Sequence, residues 1–226
     1  MRYQRLEALI GMEKLDFLKT QHVMVFGLGG VGAYAAEALA RSGVGTLTII
    51  DGDRIELSNI NRQLIALEST LGAYKTDVMA MRIHDIDPSI TVHPVNEWVE
   101  SGRIHPFFMN KADYVVDAID MVSVKMDLIT YCLDQQVPLI SSMGLANKIF
   151  PERVQLSTMA ETRVCPLAKA LRSRLRQKGV RLDFPVVYSS ETPMSPRGTA
   201  LGSTAFVPSV GGLMMAAKVV RDLLGL

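Results

Sequence analysis

Four glycines, two cations and a set of carboxylates in the first 120 residues have the types and spacing that nucleotide chemistry needs. Gly27-x-Gly29-Gly30-x-Gly32 follows the apolar run Val23–Phe26. Glycines there let the backbone approach phosphate oxygens, and a helix starting behind them offers free N–H groups and a partial positive charge. Asp51 comes about 20 residues later, closing a second apolar run, where a carboxylate can accept from ribose hydroxyls. Asp53 follows it. So far the pattern suits NAD and ATP equally. Arg62 and Lys75, with Asn59, Asn61 and Gln63 beside them, separate the two. A diphosphate can be held by glycine N–H groups alone. Attack at the α-phosphorus of a triphosphate drives charge toward the departing pyrophosphate, and a forked Arg and a compact Lys suit that work. Arg62, Lys75 and Asp120 are therefore the expected catalytic residues.

Asp120 follows the run Tyr114–Asp117 and precedes a helical pattern. A carboxylate at that point can hold Mg²⁺ against phosphate oxygens. Asp117 competes for this role, and Asp120 as an ordinary helix cap is the structural alternative.

The elements that must position these residues alternate. Residues 2–20 read as one or two short helices. Strands are expected at 22–27, 46–51, 90–95, 113–117 and 137–141, and helices at about 30–42, 74–87 and 121–135. This predicts a doubly wound, Rossmann-like α/β domain with a mostly parallel sheet covered on both faces. After Gly144 come a strand at 153–159, a basic helix at 166–178, a strand at 185–189, a polar loop at 190–204 and a closing helix at 209–224. The expected organisation is an N-terminal helical segment (1–20), a nucleotide-binding core (21–144) and a C-terminal substrate-binding segment (145–226).

A net charge of +1 means that nucleic-acid affinity has to come from a local patch. Such a patch is present. Residues 162–182 hold seven cations and no acid. Lys169, Arg172 and Arg176 fall on one face of the basic helix, while Leu167, Leu171 and Leu175 fall on another. A one-sign stripe on an anchored helix fits a phosphate backbone. Two cysteines, Cys132 and Cys165, cannot build a four-thiolate zinc site, and the histidines lack metal-ligand spacing. The N-terminus lacks a signal-like apolar stretch, and the apolar run 206–217 is cut short by Lys218, Arg221 and Asp222. The expectation is a cytoplasmic protein that needs no zinc.

The glycine motif, Asp51-x-Asp53, Asn59-x-Asn61-Arg62-Gln63, Lys75 and Ala118-Ile119-Asp120 together resemble the ubiquitin-activating-like adenylating superfamily, which includes the sulfur-carrier adenylyltransferases. That resemblance implies Mg·ATP as cofactor and adenylation of a carboxylate. It puts Asp51 and Asp53 at the ribose, Asn59, Arg62 and Lys75 at the phosphates, and Asp120 at Mg²⁺. It also matches Arg5 to an N-terminal arginine that reaches the partner's nucleotide in homodimers. Zinc-binding Cys-x-x-Cys pairs and a long catalytic-cysteine insertion, both found in other branches, are missing.

Downstream, Pro138–Gly144, Thr162-x-x-Cys165-Pro166-Leu167, Ser189-Ser190-Glu191 and Ser203–Val210 resemble the tRNA threonylcarbamoyladenosine dehydratase branch, over essentially the whole chain. Cys165 departs from it, since Asp is expected before the proline. The resemblance implies ATP-dependent cyclisation of the modification beside the anticodon, with net loss of water. It further implies a modified tRNA as substrate and a place for a sulfur-acceptor-type helper protein; the basic stripe, independently, marks Lys169, Arg172 and Arg176 as the expected tRNA contacts. A nitrogen of the substrate attacks the activated carboxyl, and its high effective concentration removes the need for an enzyme thiol. Activation of a ubiquitin-like sulfur carrier's C-terminus is the alternative.

Overall fold

The structure is a computed structural model that describes residues 2–194 and 201–226. The N-terminal segment forms two short helices, α1 (Gln4–Ile10) and α2 (Met12–Lys19). Then β1 (His22–Phe26), α3 (Gly32–Arg41), β2 (Thr46–Ile50), α4 (Lys75–Ile86) and β3 (Thr91–Val95) form the first wound half. The second half contains β4 (Tyr114–Asp117), α5 (Val122–Asp134), β5 (Leu139–Ser142), β6 (Val154–Thr158), α6 (Pro166–Gln177), β7 (Pro185–Ser189) and α7 (Phe206–Leu223). The strands make one seven-stranded sheet in the order β3-β2-β1-β4-β5-β7-β6. All neighbours pair in parallel except β6, which runs antiparallel to β7.

Alternation along the central strands splits the core into two layers, because successive side chains point to opposite faces. Val23 and Val25 of β1 pack with Leu39 of α3, Met79 of α4 and Met215 and Val219 of α7. Met24 and Phe26 join Leu128 and Cys132 of α5 and Leu171 and Leu175 of α6 on the opposite face. Each large aliphatic side chain fully buried this way contributes about 1.5–3 kcal/mol. Pro94 is tolerated in β3 because that strand is an edge, where a missing ladder donor does no harm.

The first half of the polar loop expected at 190–204 is held against the end of β7, and Ser203 is tied to the crossover by Asn61, whose Nδ2 donates to the Ser203 carbonyl at 3.1 Å. Pro196 and Gly198 of that loop lie outside the described residues. No described helix is long and apolar enough to cross a membrane.

Candidate active site

Since six strands are parallel, their carboxyl ends open on one edge of the sheet, and the strand order becomes a ruler across it. In sequence along the edge come Trp98 after β3, Asp51–Asp53 after β2 and the glycine turn after β1. Asp120 after β4, the segment Met143–Lys148 after β5 and Thr192–Pro193 after β7 complete the row. All line a single cleft of about 1080 Å³. Single-ligand pockets run to about 300–1,000 Å³, so this one has room for a nucleotide and part of a second substrate. The order reverses between β1 and β4, where open α/β sheets bind ligands.

At the nucleotide end, Gly27 adopts φ +89°, and a Cβ there would lie 2.9 Å from the Ala118 carbonyl oxygen. Only glycine accepts both that conformation and that closeness. At Gly29, by contrast, the nearest atom to an added Cβ is Gln63 Nε2 at 4.0 Å. The turn is open there, toward the cleft. Gln63 is buried, and its Oε1 is the one buried side-chain polar atom without a partner among the described residues. A buried acceptor left unmet calls for a ligand or water. The unmet amide oxygen needs a donor such as a ribose hydroxyl, and the open glycine turn beside it suits a phosphate.

Asp51 Oδ2 accepts from the Leu28 N–H at 2.6 Å, and Oδ1 accepts from the Asp53 N–H at 2.8 Å. Burial raises its pKa, opposed by the Lys75 ammonium and these two N–H groups. Lys75 is buried, with Nζ 2.5 Å from Asp53 and 3.8 Å from Asp51. Asp53 thus pairs with the cation intended for phosphate. Asn59 is also buried and occupied: its Oδ1 accepts from the Glu56 N–H at 3.1 Å, capping a single 3₁₀ turn. Arg62 donates through Nη1 to the Ser58 carbonyl at 2.7 Å and to Asn61 Oδ1 at 3.0 Å, which aims it along the cleft wall.

Asp117 and Asp120 have different environments. Asp117 is fully buried, with Oδ2 accepting from Lys125 Nζ at 2.7 Å and from Ser141 Oγ at 2.6 Å. Its Oδ1 accepts from the Ile119 N–H at 3.1 Å. Asp117 is turned into the core and does not line the cleft. Asp120 is exposed in the cleft, and α5 begins without a side-chain cap, so the capping alternative fails too. Lys125 was not singled out from the sequence, although it lies three and seven residues before Leu128 and Cys132, on the apolar stripe. That spacing was the signal of its burial. Burial pushes its pKa down, while Asp117 opposes the shift.

Beyond β5, Lys148 is buried and donates to the carbonyls of Ser189 (3.1 Å) and Glu191 (2.7 Å). Glu191 accepts from the N–H groups of Ile149 and Phe150. Cys165 caps α6, its Sγ accepting from the Ala168 N–H at 3.5 Å, which is the job an aspartate in that position would do. Trp98 was not singled out from the sequence. Its indole lies against Gly52, where a Cβ would come within 2.7 Å of the ring, and no pattern in the sequence announced it.

Outside the cleft, Lys169 and Arg176 are exposed on α6, whereas Arg172 is half-buried and donates to the Thr162 carbonyl at 2.7 Å and to its hydroxyl. Arg172 therefore ties α6 to the preceding loop as well as standing in the stripe. Arg5 is exposed on α1 and does not line its own chain's cleft. No group of three or more potential metal-ligating side chains occurs among the described residues.

The model of the ThiF family matches residues 3–226. The chain belongs to the ThiF family. Within ThiF it groups with the tRNA threonylcarbamoyladenosine dehydratases. It is 42% identical to the Bacillus subtilis enzyme of that name over 240 residues, covering 99% of this chain and 94% of the relative. The Escherichia coli dehydratase is 36% identical over 95% of this chain and 78% of its own length. The crystal structure of E. coli dehydratase TcdA in complex with ATP superposes with a TM-score of 0.93 at 33% identity, covering 99% and 94% of the two chains. That ThiF structure has the same α/β architecture around its nucleotide.

Proposed function

We propose that this protein uses ATP to cyclise threonylcarbamoyladenosine in the anticodon loop of tRNA, with net loss of one water. The observation that carries the reading is the single cleft. Its nucleotide end continues without a break into the segments at 143–148, 164–167 and 192–193, in a chain similar over nearly its whole length to enzymes of that name.

The chemistry runs in two steps. A carboxylate oxygen of the modification attacks the α-phosphorus, the bond from that phosphorus to the bridging oxygen breaks, and pyrophosphate leaves. A nitrogen of the same modification then attacks the acyl carbon, loses its proton, and AMP leaves. Gly29 and its neighbours hold the phosphates by backbone N–H groups. Lys75 exchanges Asp53 for phosphate, and Arg62 neutralises charge moving onto pyrophosphate; losing such a donor typically lowers the rate by about 10²–10³-fold. Asp51 orients the ribose. Asp120 is the residue that would hold Mg²⁺, which when bound supplies charge neutralisation at the phosphates.

Met121, Val164 and Leu201 are exposed apolar side chains on the cleft's lining. They suit a base taken out of its stack, as enzymes acting on bases require. Lys169, Arg172 and Arg176 contact the tRNA backbone, with Arg172 restricted by its bonds to Thr162. The working unit is a homodimer in which Arg5 reaches the partner's nucleotide. It acts in the cytoplasm without zinc, as ATP-driven ligase-type chemistry open to a helper protein. Incubation with Mg·ATP and modified tRNA, followed by nucleoside mass analysis, tests the reading. The modified nucleoside should become lighter by one water, and an unchanged mass would contradict it.

A further inference from the structure

Three described lysines are buried, at positions 75, 125 and 148. Lys75 pairs with Asp53 and Asp51, and Lys125 pairs with Asp117. Lys148 forms no ion pair among the described residues. Its Nζ meets only the carbonyl oxygens of Ser189 and Glu191, which leaves one of its three N–H groups free. The carboxylate of Glu191, a neighbour able to pair with it, is turned instead onto the N–H groups of Ile149 and Phe150. Burial lowers the pKa of Lys148, with Cys165 and Glu191 opposing the shift. Buried charges in folded proteins are paired, so an unpaired ammonium on a cleft wall marks the place of an absent anion.

The strand ruler says which anion. Sugar and phosphate groups belong over β2, β1 and β4, where Asp51, the glycine turn and Asp120 lie. Lys148 Nζ lies against the carbonyls at the end of β7, three strand spacings beyond β1, or about 14 Å along the sheet edge from the glycine turn. That is the side of the glycine turn away from Asp51, the side open to a second substrate. We infer that Lys148 anchors the substrate's carboxylate and presents one of its oxygens to the α-phosphorus. The inference rests on the function proposed above and adds a specificity-determining residue to it. Anchoring the acid also separates the modified nucleoside from unmodified adenosine, which has no carboxylate to offer.

The test uses threonylcarbamoyladenosine nucleoside and its methyl ester as competitors of ATP–pyrophosphate exchange driven by modified tRNA. The wild type should prefer the free acid over the ester by about 10- to 100-fold, the range of one charge-assisted hydrogen bond. Lys148→Met should abolish that preference and lower exchange about 100-fold with ATP affinity held, while the loss of its two carbonyl bonds lowers the melting temperature. Lys148→Arg should restore part of the preference. If Lys148→Met does not fold, Lys148→Gln, which keeps donors for the two carbonyls without the charge, takes its place. A merely structural lysine would change stability without altering the acid-to-ester ratio. Exchange in the wild type with no acid preference, or a preference that survives the substitution, overturns this inference alone. No exchange with modified tRNA overturns the proposed function along with it.

Discussion

Gly29→Ala separates the ligand's requirements from those of the fold. Nothing in the protein lies closer to an added Cβ than Gln63 Nε2 at 4.0 Å, and Gly29 has no positive φ. The folded chain therefore accepts alanine, and the loss of unfolded-state freedom should raise stability by about 0.4–1 kcal/mol. The same methyl sits on the open side of the turn, where a phosphate would approach the backbone. Holding the phosphate away by a methyl's thickness breaks one charge-assisted N–H bond, worth about 1.5–3 kcal/mol. ATP affinity should therefore fall about 12- to 160-fold while the melting temperature holds or rises. Calorimetric titration measures the affinity, and quenching of Trp98, the chain's single tryptophan and a lining residue of the cleft, reports it independently. Gly27→Ala is the control: its φ of +89° and the Ala118 oxygen 2.9 Å away predict destabilisation by about 1–3 kcal/mol. Wild-type ATP affinity in a stable Gly29→Ala protein would refute the placement of the phosphates.

Three further outcomes are expected. Asp120→Asn should leave the fold intact, because the side chain caps nothing, and should lower exchange about 10²–10³-fold with a raised requirement for Mg²⁺ in a metal titration. Lys169→Glu with Arg176→Glu should weaken tRNA binding and reduce the slope of log affinity against log salt by about one per lost phosphate contact, read by filter binding; ATP affinity should not change. Lys125→Met should destabilise the protein by about 3–5 kcal/mol in urea unfolding, since it leaves Asp117 charged and alone in the core, and adding Asp117→Asn should recover part of the loss.

The placement of the glycine motif, Asp51, Lys75 and Asp120 on one cleft was legible in the sequence because each stands at a strand end or helix start, and local pattern fixes those positions. The helices and strands of the first 140 residues were legible for the same reason. The direction of β6 was not: Val154–Thr158 reads as a strand in either direction, and only its ladder with β7 makes it antiparallel. The division of labour between Asp117 and Asp120 was equally hidden. It depends on Lys125 and Ser141, brought in from a helix and a neighbouring strand. Asp53 and Asn59 were assigned to the nucleotide, yet here they hold Lys75 and a 3₁₀ turn; short polar side chains bond whatever lies nearest, and spacing does not record that. Arg172 was counted with its helix face, but its long side chain folds back onto Thr162. What sets Lys148 apart shows only in three dimensions: it is the one buried lysine without an ion pair among the described residues.

The most direct test of the central claim is ATP–pyrophosphate exchange in the presence of Mg²⁺, comparing tRNA that bears threonylcarbamoyladenosine with the same tRNA lacking it. Exchange that appears only with the modified tRNA is the predicted result. Exchange that ignores tRNA and responds to a small ubiquitin-like carrier protein would contradict it and move the chemistry to a different carboxylate.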